Sequence, residues 1–141
     1  MTASAVAPKT RSHSFVRRAL AVFMVMHGVA HFVGLQASLQ AIDQHRGVDY
    51  AAGLWTITDP TTLRVFAVLW GLAGAAWFVI APVVWLGNRH ARAALIAVTV
   101  ATLVLAVAAL SASVIGVVID IVILAVASFE PHWIGLGEPI D

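Results

Sequence analysis

Apolar residues run from about Ala19 to Leu39, from Thr61 to Leu86 and from Ala93 to Phe129, and polar segments separate them. The first two runs have the length a helix needs to cross hydrocarbon about 30 Å thick, roughly 20 residues. The last covers 37 residues, Ala93 to Phe129, which is too long for one span at about 1.5 Å rise per residue and suits two short ones. Its polar interruption is Ser111-Ala112-Ser113, near Gly116. The spacing therefore predicts a tight helical hairpin, with a single long tilted helix as the alternative.

The expected fold class is all-α, a four-transmembrane-helix bundle with spans over about 19–39, 61–86, 93–110 and 114–129. These spans form one membrane unit, 15–129, between a mobile tail at 1–14 and a second tail at 130–141. Ala41 to Thr58 is a polar loop with Asp43, His45, Arg46, Asp49, Tyr50 and Trp55. Asp59-Pro60 has the form of a helix start, with the aspartate as cap and the proline at the first helical position. Pro82 is placed to kink the second span, and Trp85 sits where an interfacial aromatic belongs.

Composition agrees with a membrane protein: the chain is 61% hydrophobic and only 11% charged, against about 25% charged in soluble domains. Mean hydropathy is +0.95. Six of the eight basic residues (Lys9, Arg11, Arg17, Arg18, Arg89, Arg92) fall on one side of the four-span arrangement, and Arg46 and Arg64 on the other. By the positive-inside rule both termini and the turn Gly87 to Arg92 lie in the cytoplasm, and the Ala41 to Thr58 loop faces outward. A basic segment before an apolar run also has the form of a signal peptide. That run, however, is of span length, holds two histidines and lacks a small-x-small site near Gln36 to Ala41.

A net charge of +1, with basic residues at helix ends rather than in an aromatic-studded patch, gives no case for nucleic acid. With no cysteine, thiol catalysis, disulfides and thiolate metal sites are excluded. The chain has no Gly-rich phosphate loop, nucleophile elbow or HExxH motif, which argues against an ATPase, a serine hydrolase or a zincin.

Polar chemistry concentrates in three residues inside the spans: His27, His31 and Asp120. Residues four apart stack on one helix face, so the two imidazoles share a side with Met24, Gly34 and Ser38. On the last helix Ser113, Gly116, Asp120 and Ala127 share a side of small or polar residues, which suits close helix approach. Thr99, Thr102 and Ala106 on the third span, and Ala67, Gly71, Gly74 and Ala75 on the second, are the matching faces. Counting rise along the helices puts His31 about 12 Å and Asp120 about 9 Å below the outer ends of their spans, so these two should meet, with His27 a turn deeper.

Three readings of the cluster follow. His27, His31 and Asp120 can act as a two-histidine, one-carboxylate metal set, although without further intramembrane ligands a di-iron cluster has no support. Haem ligation from both faces is unsuitable for two histidines on one helix side. Alternatively they hold an apolar or redox-active ligand, such as a quinone, between the imidazoles and the rings of Trp70 and Trp77, with Asp120 tuning His31. In the third reading they are structural, forming interhelical hydrogen bonds of about 0.6 kcal/mol each, with Arg64 snorkelling inward to neutralise Asp120. His45, Asp43, Asp49 and Tyr50 either close the outer mouth of a pocket or form a solvated loop. Trp55, Trp85 and Trp133 suit interfaces.

The segment HGVAHFVG in the first helix, and the outer loop entering DPTTLRVFAVLWGLAG, in a four-span chain of this size, resemble small bacterial membrane proteins of the DoxX-like type. The resemblance implies a four-helix integral membrane protein, of a type sometimes associated with redox or quinone-linked partners and often without an assigned activity, and it assigns no catalytic residue. The expected function is a small binding or accessory subunit in the cell membrane, its partners being the bilayer, an apolar small molecule or quinone, and a membrane protein or a second copy of itself. An intramembrane metal or redox enzyme and a purely structural assembly subunit are the alternatives. The cofactor is left open.

Overall fold

The computed structural model describes residues 10–129; the C-terminal tail expected at 130–141, with Trp133, lies outside them. The elements run α1 (Thr10–Asp43), a short antiparallel hairpin of β1 (Val48–Tyr50) and β2 (Trp55–Ile57), then α2 (Pro60–Trp85), α3 (Ala91–Ala108) and α4 (Leu110–Phe129). Three helical stretches are long and apolar enough to cross a membrane, Phe15–Asp43, Pro60–Leu86 and Ala91–Ala108, and the apolar stretch Ser113–Phe129 is shorter. Large apolar side chains lie exposed along all four helices, among them Val33, Leu72, Val104 and Ile115. Such a surface suits hydrocarbon rather than water.

Two differences from the sequence expectations concern boundaries. α1 begins at Thr10, so helix already occupies the end of the segment expected to be a tail. The loop Ala41 to Thr58 is also partly ordered, since Val48 pairs with Ile57 and Tyr50 with Trp55 across a single 3₁₀ turn, Ala51–Gly53. Tyr50 is buried and stacks on Phe66 at 4.5 Å between ring centroids, which anchors the hairpin to α2.

Local rules explain the helix ends. The Asp59 side chain accepts a hydrogen bond from the Thr62 backbone N–H at 2.7 Å, and Pro60 follows at the first helical position. The helix runs on through Pro82 and ends at Trp85. Ser113 has a non-helical backbone (φ −127°, ψ 21°), and its hydroxyl donates toward the carbonyls of Ala106 and Ala109 at the end of α3. Those are carbonyls a terminating helix otherwise leaves unpaired.

α1 packs along α2, and α3 along α4. Gly28 and Gly74 set the first contact: a Cβ at Gly28 would lie 3.1 Å from the Gly74 carbonyl, and one at Gly74 would lie 3.0 Å from the Gly28 carbonyl. Only hydrogen in place of a side chain lets the two backbones come this near. The predicted inward faces are buried at Met24, Thr99, Thr102, Ala106, Ala67 and Gly74. Ala75 is exposed instead.

Two apolar clusters form. The lower one gathers Met24, Trp77, Ile80, Val84, Leu95 and Ile123 with buried alanines, and the upper one joins Tyr50, Trp70 and Ala109. At the lower end Arg92 of α3 donates to the carbonyls of Ala127 and Ser128, capping the end of α4. Between the two clusters lies the polar layer.

Candidate functional site

His27, His31 and Asp120 are 5%, 4% and 0% exposed. Burying three ionisable groups among apolar neighbours is costly unless each finds a partner. The partners differ from the expected ones. His27, not His31, meets the aspartate: Nε2 of His27 lies 2.8 Å from Oδ1 of Asp120. His31 instead accepts at Nε2 a hydrogen bond from the indole N–H of Trp77, at 3.1 Å.

The correction has a geometric cause. Level counting assumed that all helices end at one height, but α1 has 34 residues and α3 only 18, or about 51 Å against 27 Å of helix. The α3–α4 turn thus sits below the C-terminal end of α1, and α4 touches β1 and the 3₁₀ turn of the hairpin. Asp120 is thereby brought down one turn, to the level of His27.

Because an indole nitrogen can only donate, Nε2 of His31 must carry its lone pair, which places the proton of the neutral ring on Nδ1. His31 therefore holds one N–H donor. With Asp120 ionised, His27 donates from Nε2 to Oδ1. Oδ2 of Asp120 is buried and has no hydrogen-bond partner among the described residues.

Aromatic rings enclose the imidazoles. Trp77 stands edge-on to His27 at 4.9 Å, and Trp70 tilts over His31 at 5.5 Å. Gly34 makes the Trp70 position possible, since a Cβ there would sit 2.4 Å from the indole ring. The buried hydroxyls of Ser38, Thr99 and Thr102 bond within their own helices, to the carbonyls of Gly34, Leu95 and Thr99. They take no part in joining helices.

A cavity of about 490 Å³ opens between α1 and α4, with His27, His31, Trp70, Gly34, Ser113 and Gly116 among its lining residues. Trp77 does not line it, and acts from behind, through His31. Arg64 is exposed and faces the Asp59 end of α2, where it helps hold that carboxyl below the usual carboxylate range, after the larger effect of the hydrogen bonds from Thr62. The partner of Asp120 is His27 rather than Arg64. Of the loop candidates, Tyr50 is buried above Trp70, whereas Asp43, His45 and Asp49 are exposed. Trp55 and Trp85 are exposed, at opposite ends of α2.

One ligand atom from each of His27, His31 and Asp120 lies within 4.8 Å of the others. Metal–ligand bonds of about 2.0–2.1 Å hold two ligands at most about 4.2 Å apart, so this set must contract to bind an ion. Both Nε2 atoms are also already engaged, by Asp120 and by Trp77.

Comparison with protein-family models, characterised proteins and solved structures gives no match for this chain.

Proposed function

We propose that the protein is a small binding or accessory subunit, spanning the cell membrane four times with both termini in the cytoplasm, that takes a flat amphipathic molecule of quinone type from the lipid into the α1–α4 cavity. The observation that carries this reading is His31, a neutral imidazole that lines a cavity opening between apolar helix faces and whose one N–H suits a ligand carbonyl. The volume of about 490 Å³ falls in the range of small-molecule sites, roughly 300–1,000 Å³. Trp70 supplies a ring face for a flat ligand, and the His27–Asp120 pair holds α4 beside α1. The likeness of HGVAHFVG and its surroundings to DoxX-like proteins supports the same class of ligand.

Titration of the purified protein in nanodiscs with decylubiquinone, read by quenching of tryptophan fluorescence, tests the reading. Saturable binding is expected, and His31→Leu and Ser113→Trp should both abolish it while circular dichroism stays helical. Absence of saturable binding in the native protein would overturn the proposal. Stoichiometric zinc or iron in the purified protein, lost in each of His27→Ala, His31→Ala and Asp120→Ala, would replace it with the metal reading.

A further inference from the structure

We propose that the Arg17 end of the bundle holds an anionic phospholipid, with one acyl chain in a groove between α1 and α2 and the phosphate on Arg17 and Arg18. The groove has a volume of about 240 Å³ and is lined by Ala21, Val22, Val25, Ala81, Pro82 and Trp85, apolar without exception. Its shape follows from the sequence: two alanines and a proline form a hollow that Trp85 and two valines border.

Charge stands at its end. The Arg18 guanidinium lies 5.5 Å from the centre of the Trp85 ring, over the residue that borders the groove. Arg17 packs against Gly87, which takes a positive φ of 69° at the end of α2 and leaves the guanidinium the space of a missing side chain. The Nε of Arg17 is buried without a hydrogen-bond partner among the described residues. A buried guanidinium N–H left unpaired is costly, and a phosphate oxygen is the acceptor its planar fork suits best.

No carboxylate among the described residues competes for these charges. Among the described residues, Asp43, Asp49 and Asp59 lie at the opposite end of the bundle and Asp120 is held by His27. Arg92 is occupied by the carbonyls of Ala127 and Ser128, and Nε of Arg89 by His90. A cationic end beside an apolar groove at a membrane surface selects an anionic lipid over a zwitterionic one.

Native mass spectrometry of protein extracted from nanodiscs of equimolar phosphatidylglycerol and phosphatidylcholine tests this. The wild type should retain phosphatidylglycerol in preference, by about thirtyfold if each of the two arginines contributes what a basic residue does at an anionic surface. Arg17→Gln with Arg18→Gln should abolish the preference. Val22→Trp, which fills the groove from an exposed position and keeps both arginines, should abolish retention of either lipid even if the arginine variant fails to fold. Arg46→Gln with Arg64→Gln, at the other end, should leave it unchanged. Equal retention of both lipids, unchanged retention in Val22→Trp, or displacement of the lipid by glycerol 3-phosphate as effectively as by phosphatidylglycerol would overturn the proposal, the last by reducing the site to one for a free anion.

Discussion

His27 of α1 and Asp120 of α4, 93 residues apart in the chain, share a hydrogen bond of 2.8 Å at full burial. α1 and α4 otherwise pack mainly on α2 and α3 respectively, so this bond closes the bundle across the open side. Whether it acts as a charged pair or an ordinary hydrogen bond decides its energetic weight. A neutral interhelical bond in a membrane contributes about 0.6 kcal/mol, whereas stranding one member of a buried ion pair costs about 3–5 kcal/mol.

A double-mutant cycle separates the two. His27→Leu should destabilise by about 3 kcal/mol because it leaves a buried carboxylate, and adding Asp120→Leu should recover most of that loss. Unfolding in detergent, followed by tryptophan fluorescence, measures both. A double variant no better than His27→Leu alone would show that the carboxylate was never charged.

Trp77→Phe removes the donor to His31 and keeps the ring packing. The expected loss is about 1 kcal/mol, with a change in the ¹⁵N resonance of His31 Nε2 from that of a hydrogen-bonded lone pair to that of a mixture of tautomers. An unchanged imidazole spectrum would mean that Trp77 does not set the tautomer.

Gly28→Leu forces α1 away from α2 at their nearest approach, where a Cβ alone would stand 2.9 Å from that of Trp77. Overpacking of this kind costs about 1–3 kcal/mol, read as a lower thermal midpoint. Gly71→Ala, whose nearest neighbour would be Leu35 at an ordinary 3.8 Å, should leave the midpoint unchanged.

Tyr50→Ala should loosen Trp70, against which it packs in the upper cluster. Truncating a buried aromatic costs about 3–5 kcal/mol. Affinity for decylubiquinone should fall with it, since Trp70 lines the cavity.

At Asp59 the hydrogen bonds from Thr62 hold the carboxyl below its ordinary value. A carboxyl depressed by folding stabilises the folded state fully above its unfolded pKa, and that contribution fades as the pH falls through the folded value. Asp59→Asn keeps the helix cap and should remove this acid-side loss. Thermal midpoints measured from neutral pH down to strongly acid pH should therefore converge for the two proteins at the acid end.

Much of this was legible in the order of residues. Runs of apolar side chains dictate helices and a membrane, because backbone polar groups in hydrocarbon must pair within the segment. Asp59-Pro60 announces a helix start, and the four-residue spacing puts both histidines on one face, since these are rules acting within a turn or two of chain. Which imidazole meets Asp120, why Trp77 rather than Trp70 bonds His31, and how Arg17 comes to rest on Gly87 follow from relative helix heights. Those heights depend on the length of α3, the fold of the β hairpin and the Gly28–Gly74 contact together, and an error of one residue in any of them moves a side chain by about 1.5 Å. Local pattern thus determined which groups are buried; their pairing was decided by packing between segments distant in the chain.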